Sequence, residues 1–264
     1  MSMASSDRAA GFRIGRVFGD TFNVLGRNFW LCVGLAVIFS GIPTFLYQIW
    51  TGWQVEAALL SAETGAVPPI FDGVYVFSGL IFFVIYMVLA SILQAALVRT
   101  TIEDLNGQQP TFGDALSRGI ALLLPIIGLS VLMYIGIGIG FILLIVPGIY
   151  LLIRWSAAIP ALVHEQHGIL GSLTRSSDLT KGSRWRILGL FIILMVAIWV
   201  LQMALGLLAV AVTSFLGTII ATAIAALLSS VTSVVASIAM AVSYVELRYI
   251  KEGTDVKELA EIFA

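Results

Sequence analysis

The stretch Pro147–Glu165, PGIYLLIRWSAAIPALVHE, sets a single arginine, Arg154, in a run that is otherwise apolar for most of its length. A charge near the middle of a membrane helix costs about 2.5 kcal/mol or more on insertion scales, so it needs a partner or a wet cavity. Two readings stay open. In the first, Arg154 satisfies carbonyls or Ser/Thr groups inside a bundle, helped by Pro160, which can free a carbonyl one turn earlier in the helix. In the second, Arg154 faces a cavity and binds an anion, because a guanidinium stays charged and forks onto two oxygens of a phosphate or carboxylate. Glu246 is the carboxylate whose depth suits it as an ion-pair partner for Arg154. Arg175, Lys181, Arg184 and Arg186 form a second candidate, since anionic lipid headgroups attract such residues by about 1 kcal/mol each. Topology alone also accounts for that cluster.

His164-Glu165-Gln166-His167 invites a metalloprotease reading and does not support it. A zinc helix needs its histidines four apart, so that both rings share a face around the glutamate. Here they are three apart and Gly168 follows at once. We read the segment as solvated. Gly136, Gly138 and Gly140 follow no strand and have no base nearby, so they suit close packing better than a phosphate cradle. The sequence holds no Gly-x-Ser-x-Gly elbow, phosphate loop or paired intramembrane carboxylates. No catalytic residue, metal site, cofactor or nucleic-acid partner is expected, and the chain reads as non-enzymatic.

The elements that position these residues follow from composition. Of 264 residues, 59% are hydrophobic and 11% charged, with mean hydropathy +1.04. Soluble domains run near half apolar and about a quarter charged, so this chain is an integral membrane protein. Cys32, alone in the sequence, precludes an intramolecular disulfide. Residues 1–28 carry Arg8, Arg13, Arg16, Asp20 and Arg27 without a continuous apolar core, so no cleaved signal peptide is expected.

A spanning helix needs about 20 mostly apolar residues. Six runs qualify, near 29–49, 75–98, 119–140, 142–163, 187–211 and 217–245; the third and fourth could instead form a broken or re-entrant pair. Lys and Arg fall before the first span, between the second and third (Arg99, Arg118), in the 175–186 segment and after the sixth (Arg248, Lys251, Lys257). The 50–73 connection carries Glu56, Glu63 and Asp72 but no base. Since basic residues stay on the cytoplasmic side, both termini are expected there, with 250–264 as a cytoplasmic tail. Trp30, Trp50, Trp53, Trp185 and Tyr249 fall at span ends, where amphipathic rings favour the headgroup layer.

Three short segments precede pairs of spans. Residues 11–28 gather Ile14, Val17, Phe18, Phe22 and Leu25 on one helical face, as an interfacial amphipathic helix does. A second starts at Pro110, with Thr111 as cap and Asp114 three residues on; a third is Gly168–Leu179. This reads as a degenerate threefold repeat of surface helix, span, span. The sixth span repeats small residues every four positions: Gly217, Ala221, Ala225, Ser229, Ser233, Ser237 and Ala241. Such a stripe serves as a tight helix seam, as a serine-lined polar path, or as a homodimer seam.

The run Pro147-Gly148-Ile149-Tyr150, with Arg154-Trp155, Pro160, Glu165, Gly168, Arg175-Ser176, Leu179, Gly182 and Trp185, resembles the bacterial YciC-like proteins. It is also similar to the membrane domain attached to some glycerophosphoryl diester phosphodiesterases. The resemblance implies an all-helical, six-span protein of the bacterial inner membrane, without the separate barrel in which the phosphodiesterases hold their catalytic residues. Two functions are expected to compete: binding or moving a lipid or amphiphilic anion in envelope maintenance, with membrane lipids as partners, or structural assembly against a second copy or another membrane protein.

Overall fold

A computed structural model of the chain describes residues 12–64 and 73–252. The bases Arg8 and Lys257, the carboxylate of Asp72 and the tail beyond Glu252 lie outside the described residues. Six helical segments are long and apolar enough to cross a membrane: Phe29–Thr64, Gly73–Leu105, Leu123–Leu143, Ile145–Glu165, Arg184–Ser214 and Thr218–Glu252. Helix suits such a chain because it pairs its own backbone groups where no water can. Among the described residues every element is helical, so the molecule is an all-α polytopic bundle.

In chain order the elements are α1 (Ile14–Arg27), α2 (Phe29–Ala36), a π-helical turn (Val37–Gly41), α3 (Ile42–Thr64) and α4 (Gly73–Leu105). Then come α5 (Phe112–Ala121), α6 (Leu123–Leu143), α7 (Ile145–Arg154), α8 (Ala158–Glu165), α9 (Gly168–Thr180), α10 (Arg184–Leu216) and α11 (Thr218–Glu252). Most spans outrun their apolar windows. The 50–73 segment is not simply a connection: α3 runs on through Thr64. Gln and Glu end the apolar run without ending the helix, because both are good helix formers.

The three surface helices are present as α1, α5 and α9. On α5, the Thr111 hydroxyl accepts from the Asp114 N–H at 3.2 Å and donates to its carboxylate at 2.6 Å, a reciprocal cap. On α1 the buried face is Val17, Thr21 and Val24, rotated from the expected one. Phe22 stays 58% exposed, in line with the bare rings of Phe29 and Trp30.

Packing follows a cyclic order of three units. Each unit is a surface helix, an opening span and a closing span: α1 with α2–α3 and α4, α5 with α6 and α7–α8, α9 with α10 and α11. Each surface helix packs on the closing span of the unit before it: α5 on α4, α9 on α8, and α1 on α11, which closes the ring. The closing spans α4, α8 and α11 touch one another pairwise at the centre. Each opening span leans on its own closing span and on that of the preceding unit. The core is therefore shared by all three units, with Leu97, Leu162, Tyr244 and Leu247 fully enclosed.

The small-residue stripe of α11 does not form one seam. A repeat of four residues drifts about 40° per step around a helix of 3.6 residues per turn, so it winds around the helix instead of staying on one face. Ala221 and Ala225 face α10, Ser233 and Ser237 reach a cavity beside the first two spans, and Ala241 is in the core. Gly217 lies before the helix with φ 83°, and Ser229 is half-buried. The sealed side chains of α11 include Ala221 and Ala241 of the stripe together with Ala226, Ser230, Val234, Ile238, Ala239 and Val242, so burial too passes around the helix instead of following one face.

The α6–α7 hairpin uses its glycines for contact. A Cβ on Gly140 would lie 3.0 Å from the Gly148 Cα, one on Gly148 2.5 Å from the Phe141 ring, and one on Gly136 2.6 Å from the Trp155 ring. Gly138 faces open space. Replacing Gly148 by Leu is expected to cost about 1–3 kcal/mol through overpacking, read as a lower unfolding midpoint in detergent, whereas Gly138→Ala leaves the midpoint unchanged or slightly raised.

Candidate functional sites

The residues singled out by sequence do not converge on one site. Arg154 is not in the middle of a continuous helix: α7 ends at it, the chain turns through Trp155–Ala157, and α8 begins. The break frees backbone groups, and α9 satisfies them. Ser176 donates its hydroxyl to the Arg154 carbonyl at 2.8 Å and accepts from the Ala157 N–H at 3.1 Å. The Arg154 Nε donates to the Ser177 hydroxyl at 2.8 Å. A cation at a helix C-terminus also meets the negative end of the dipole. The arginine thus works as a joint between the fourth span and α9. Glu246 does not partner it; that carboxylate, 6% exposed, takes Arg16 of α1 at 3.4 Å.

The basic cluster also separates. Lys181 and Arg186 are exposed. Arg184 donates to the Tyr150 hydroxyl at 2.8 Å and lies over its ring at 4.8 Å. Arg175 joins a network that the sequence did not reveal. Glu165, at the end of α8, accepts from the Arg175 Nε at 2.7 Å and from the Tyr244 hydroxyl at 2.6 Å. Arg248 stands 3.7 Å from Glu165 and donates to Glu252 at 3.0 Å; Arg175 also donates to Glu252. Burial opposes the charge on Arg175, but its bonds to Glu165 and Glu252 outweigh that and hold it above its ordinary pKa.

His164 and His167 play separate parts here. His164 meets the Tyr244 ring edge-on at 6.1 Å, while His167 lies 3.2 Å from Glu165. The segment is therefore half-built into the bundle and not merely solvated. Across the ring, Asp104 accepts from the Arg27 Nε at 3.1 Å and from Asn28 at 2.8 Å. These pairs tie α1 to α4 and α11, and α9 to α8 and α11. They have the geometry of fasteners.

A cavity lies elsewhere, between α3 and α4, which make few direct contacts. It is a half-open groove of about 740 Å³, within the range of ligand pockets. Thr44, Gln48, Thr51 and Gln54 supply one polar wall, and the rings of Tyr47, Trp50, Tyr75, Phe82 and Phe83 supply much of the rest. Trp50 packs on Phe82 at 4.9 Å between centroids, over the bare backbone of Gly79. Tyr86 walls this cavity and also a second one of about 260 Å³, lined by Ser40 of the π turn, Gln94, Ser233 and Ser237. The two lie end to end along the first two spans. π turns within helices mark functional sites often enough to make Ser40 informative. At 1.5 Å per residue along α4, Tyr86 is about 27 Å from Asp104 and Gln94, at the inner end of the groove, about 15 Å from it, so the outer cavity is remote from the charged end and the inner one approaches it.

A trace of the groove was present in the sequence. Thr44, Gln48, Thr51 and Gln54 recur at spacings that put them on one face of a helix, and two glutamines are unusual in an apolar run. The span boundary near 49 divided the pattern and hid it.

Removing the central carboxylate tests the network. Glu165→Leu leaves Arg175, Arg248 and the Tyr244 hydroxyl without their shared acceptor and is expected to cost about 3 kcal/mol. Ser177→Ala, which removes one hydrogen bond to Arg154, costs about 1 kcal/mol. Both are read from unfolding midpoints in detergent, and equal effects would contradict the network's leading role. Compared with models of protein families, curated proteins and solved structures, the chain matches none.

Proposed function

We propose that this chain is a non-enzymatic protein of the bacterial inner membrane that holds an amphiphile in the groove between its first two spans and α11. One observation carries the reading: two end-to-end cavities, walled by rings on one side and by Thr, Gln and Ser on the other, inside a segment otherwise built for lipid. An acyl chain fits the aromatic and aliphatic wall, and a polar head finds hydrogen-bonding groups that hydrocarbon cannot satisfy. The Ser233–Ser237 part of the α11 stripe supplies the inner end, in keeping with its reading as a polar path.

Orientation follows from charge. Arg16, Arg27, Arg99, Arg175, Lys181, Arg184, Arg186, Arg248 and Lys251 gather at one end, and Glu56 and Glu63 lie toward the other. The basic end is cytoplasmic by the positive-inside rule, and the wide mouth of the groove faces the opposite leaflet. A role in envelope lipid handling suits this placement.

Native mass spectrometry of the protein released from lipid nanodiscs tests the reading. Wild type is expected to retain an amphiphile, Ala90→Trp, which fills the inner cavity, to lose it by tenfold or more, and Arg154→Leu to keep it. Retention unaffected by Ala90→Trp but abolished by Arg154→Leu would return the site to the arginine.

A further inference from the structure

We infer that the groove selects an amphiphile with an uncharged, hydroxyl-bearing head, such as a sugar or polyol, over the anionic lipid that the basic residues first suggest; this deepens the proposed function and rests on it. None of the residues lining either cavity is Asp, Glu, Lys or Arg. A phosphate or carboxylate brought there would give up its water without meeting a counterion, which a site of low dielectric penalises heavily. Of the basic residues that first suggested an anion, Arg154 is bonded to Ser177, Arg175 to Glu165 and Glu252, and Arg184 to Tyr150, while Lys181 and Arg186 are exposed and line neither cavity.

The walls instead present what a neutral polar head needs. Gln54, half-buried, lines the outer cavity, and its Nε2 has no hydrogen-bond partner within the protein, so no protein contact holds that amide nitrogen away from a ligand. Gln48, Thr44 and Tyr75 add amide and hydroxyl groups along the same cavity, each able to both donate and accept. A hydroxyl has the same dual capacity, and a carboxylate or phosphate accepts only. Trp50, held over Gly79 and against Phe82, offers a flat apolar face to the C–H side of a ring or polyol. Beyond Tyr86 the groove narrows but keeps the same neutral chemistry, with Ser40, Gln94, Ser233 and Ser237 set among Phe39, Ala90, Leu93 and Ala236.

Nanodiscs of phosphatidylcholine doped with equal amounts of a monoglucosyl diacylglycerol and phosphatidylglycerol provide the test, read by native mass spectrometry of the released protein. The wild type is expected to keep the glucosyl lipid at least tenfold over phosphatidylglycerol. The Gln48→Leu, Gln54→Leu double variant is expected to bring the ratio below threefold through loss of the glucosyl lipid, with retained phosphatidylglycerol unchanged. Preference for phosphatidylglycerol, or a ratio indifferent to the two glutamines, overturns the head-group inference and leaves the groove intact. Retention of every lipid unaltered by Ala90→Trp overturns the groove as well. Gln54→Asn, which keeps the amide, separates chemistry from shape: it retains part of the preference if the amide recognises the head, and none if only the length of the side chain matters.

Discussion

Carboxylates buried at the basic end of the bundle set the terms for everything else. Glu165 and Glu246 sit on closing spans where an unpaired charge would be costly, and each is neutralised by an arginine from the surface helix of the following unit, Arg175 and Arg16. Neighbouring spans gain nothing from the hydrophobic effect inside lipid, so association rests on close packing and on polar groups that have no better partner. The ion pairs supply that specificity at one end. The joint between α1 and α11 has particular weight, because it brings together the first and last units of the chain and so closes the ring. Tyr244, fully buried, adds its hydroxyl to Glu165 and fixes the register of α11 against α8.

This fastening leaves the far half of the bundle to weaker forces. There α3 and α4 part, with rings and amides between them instead of interlocked aliphatic side chains. The division has a physical logic. A bundle tied at one end can hold an adaptable groove at the other without losing its fold, and regions with few packed contacts are those that open most readily. The π turn at Val37–Gly41 falls between the two regimes, with Gly41 in contact range of Leu227 and Ser230 and Ser40 at the inner cavity.

Span number and helical class were legible because hydrophobic length and charge placement are one-dimensional properties. The surface helices were legible for a related reason: Thr111 and Asp114 declare a cap, and amphipathic periodicity declares a helix, although on α1 the buried face is rotated from the apolar one. What required three dimensions was partnership. Arg154 looked stranded because the sequence does not show that the fourth span breaks beside it, nor that Ser176 and Ser177 return to the break. Glu165 looked solvated because Tyr244 is 79 residues away and Arg175, ten residues on, returns to it only through the turn between α8 and α9. The α11 stripe looked like one surface because a four-residue spacing resembles a helical period, although the drift carries it across three environments. The groove was obscured by a boundary drawn where hydrophobicity fell, while the helix itself continued.

Tyr86 walls both cavities, and a photoreactive benzoylphenylalanine at that position, activated in native membranes, would report what lies beside it. An amphiphile seated in the groove predicts a covalent adduct of lipid mass on the α4 peptide, diminished when Ala90→Trp is added. Cross-links solely to the chain's own α3 or α11, with no lipid adduct, would mean that the groove is closed by protein in the membrane and would contradict the account.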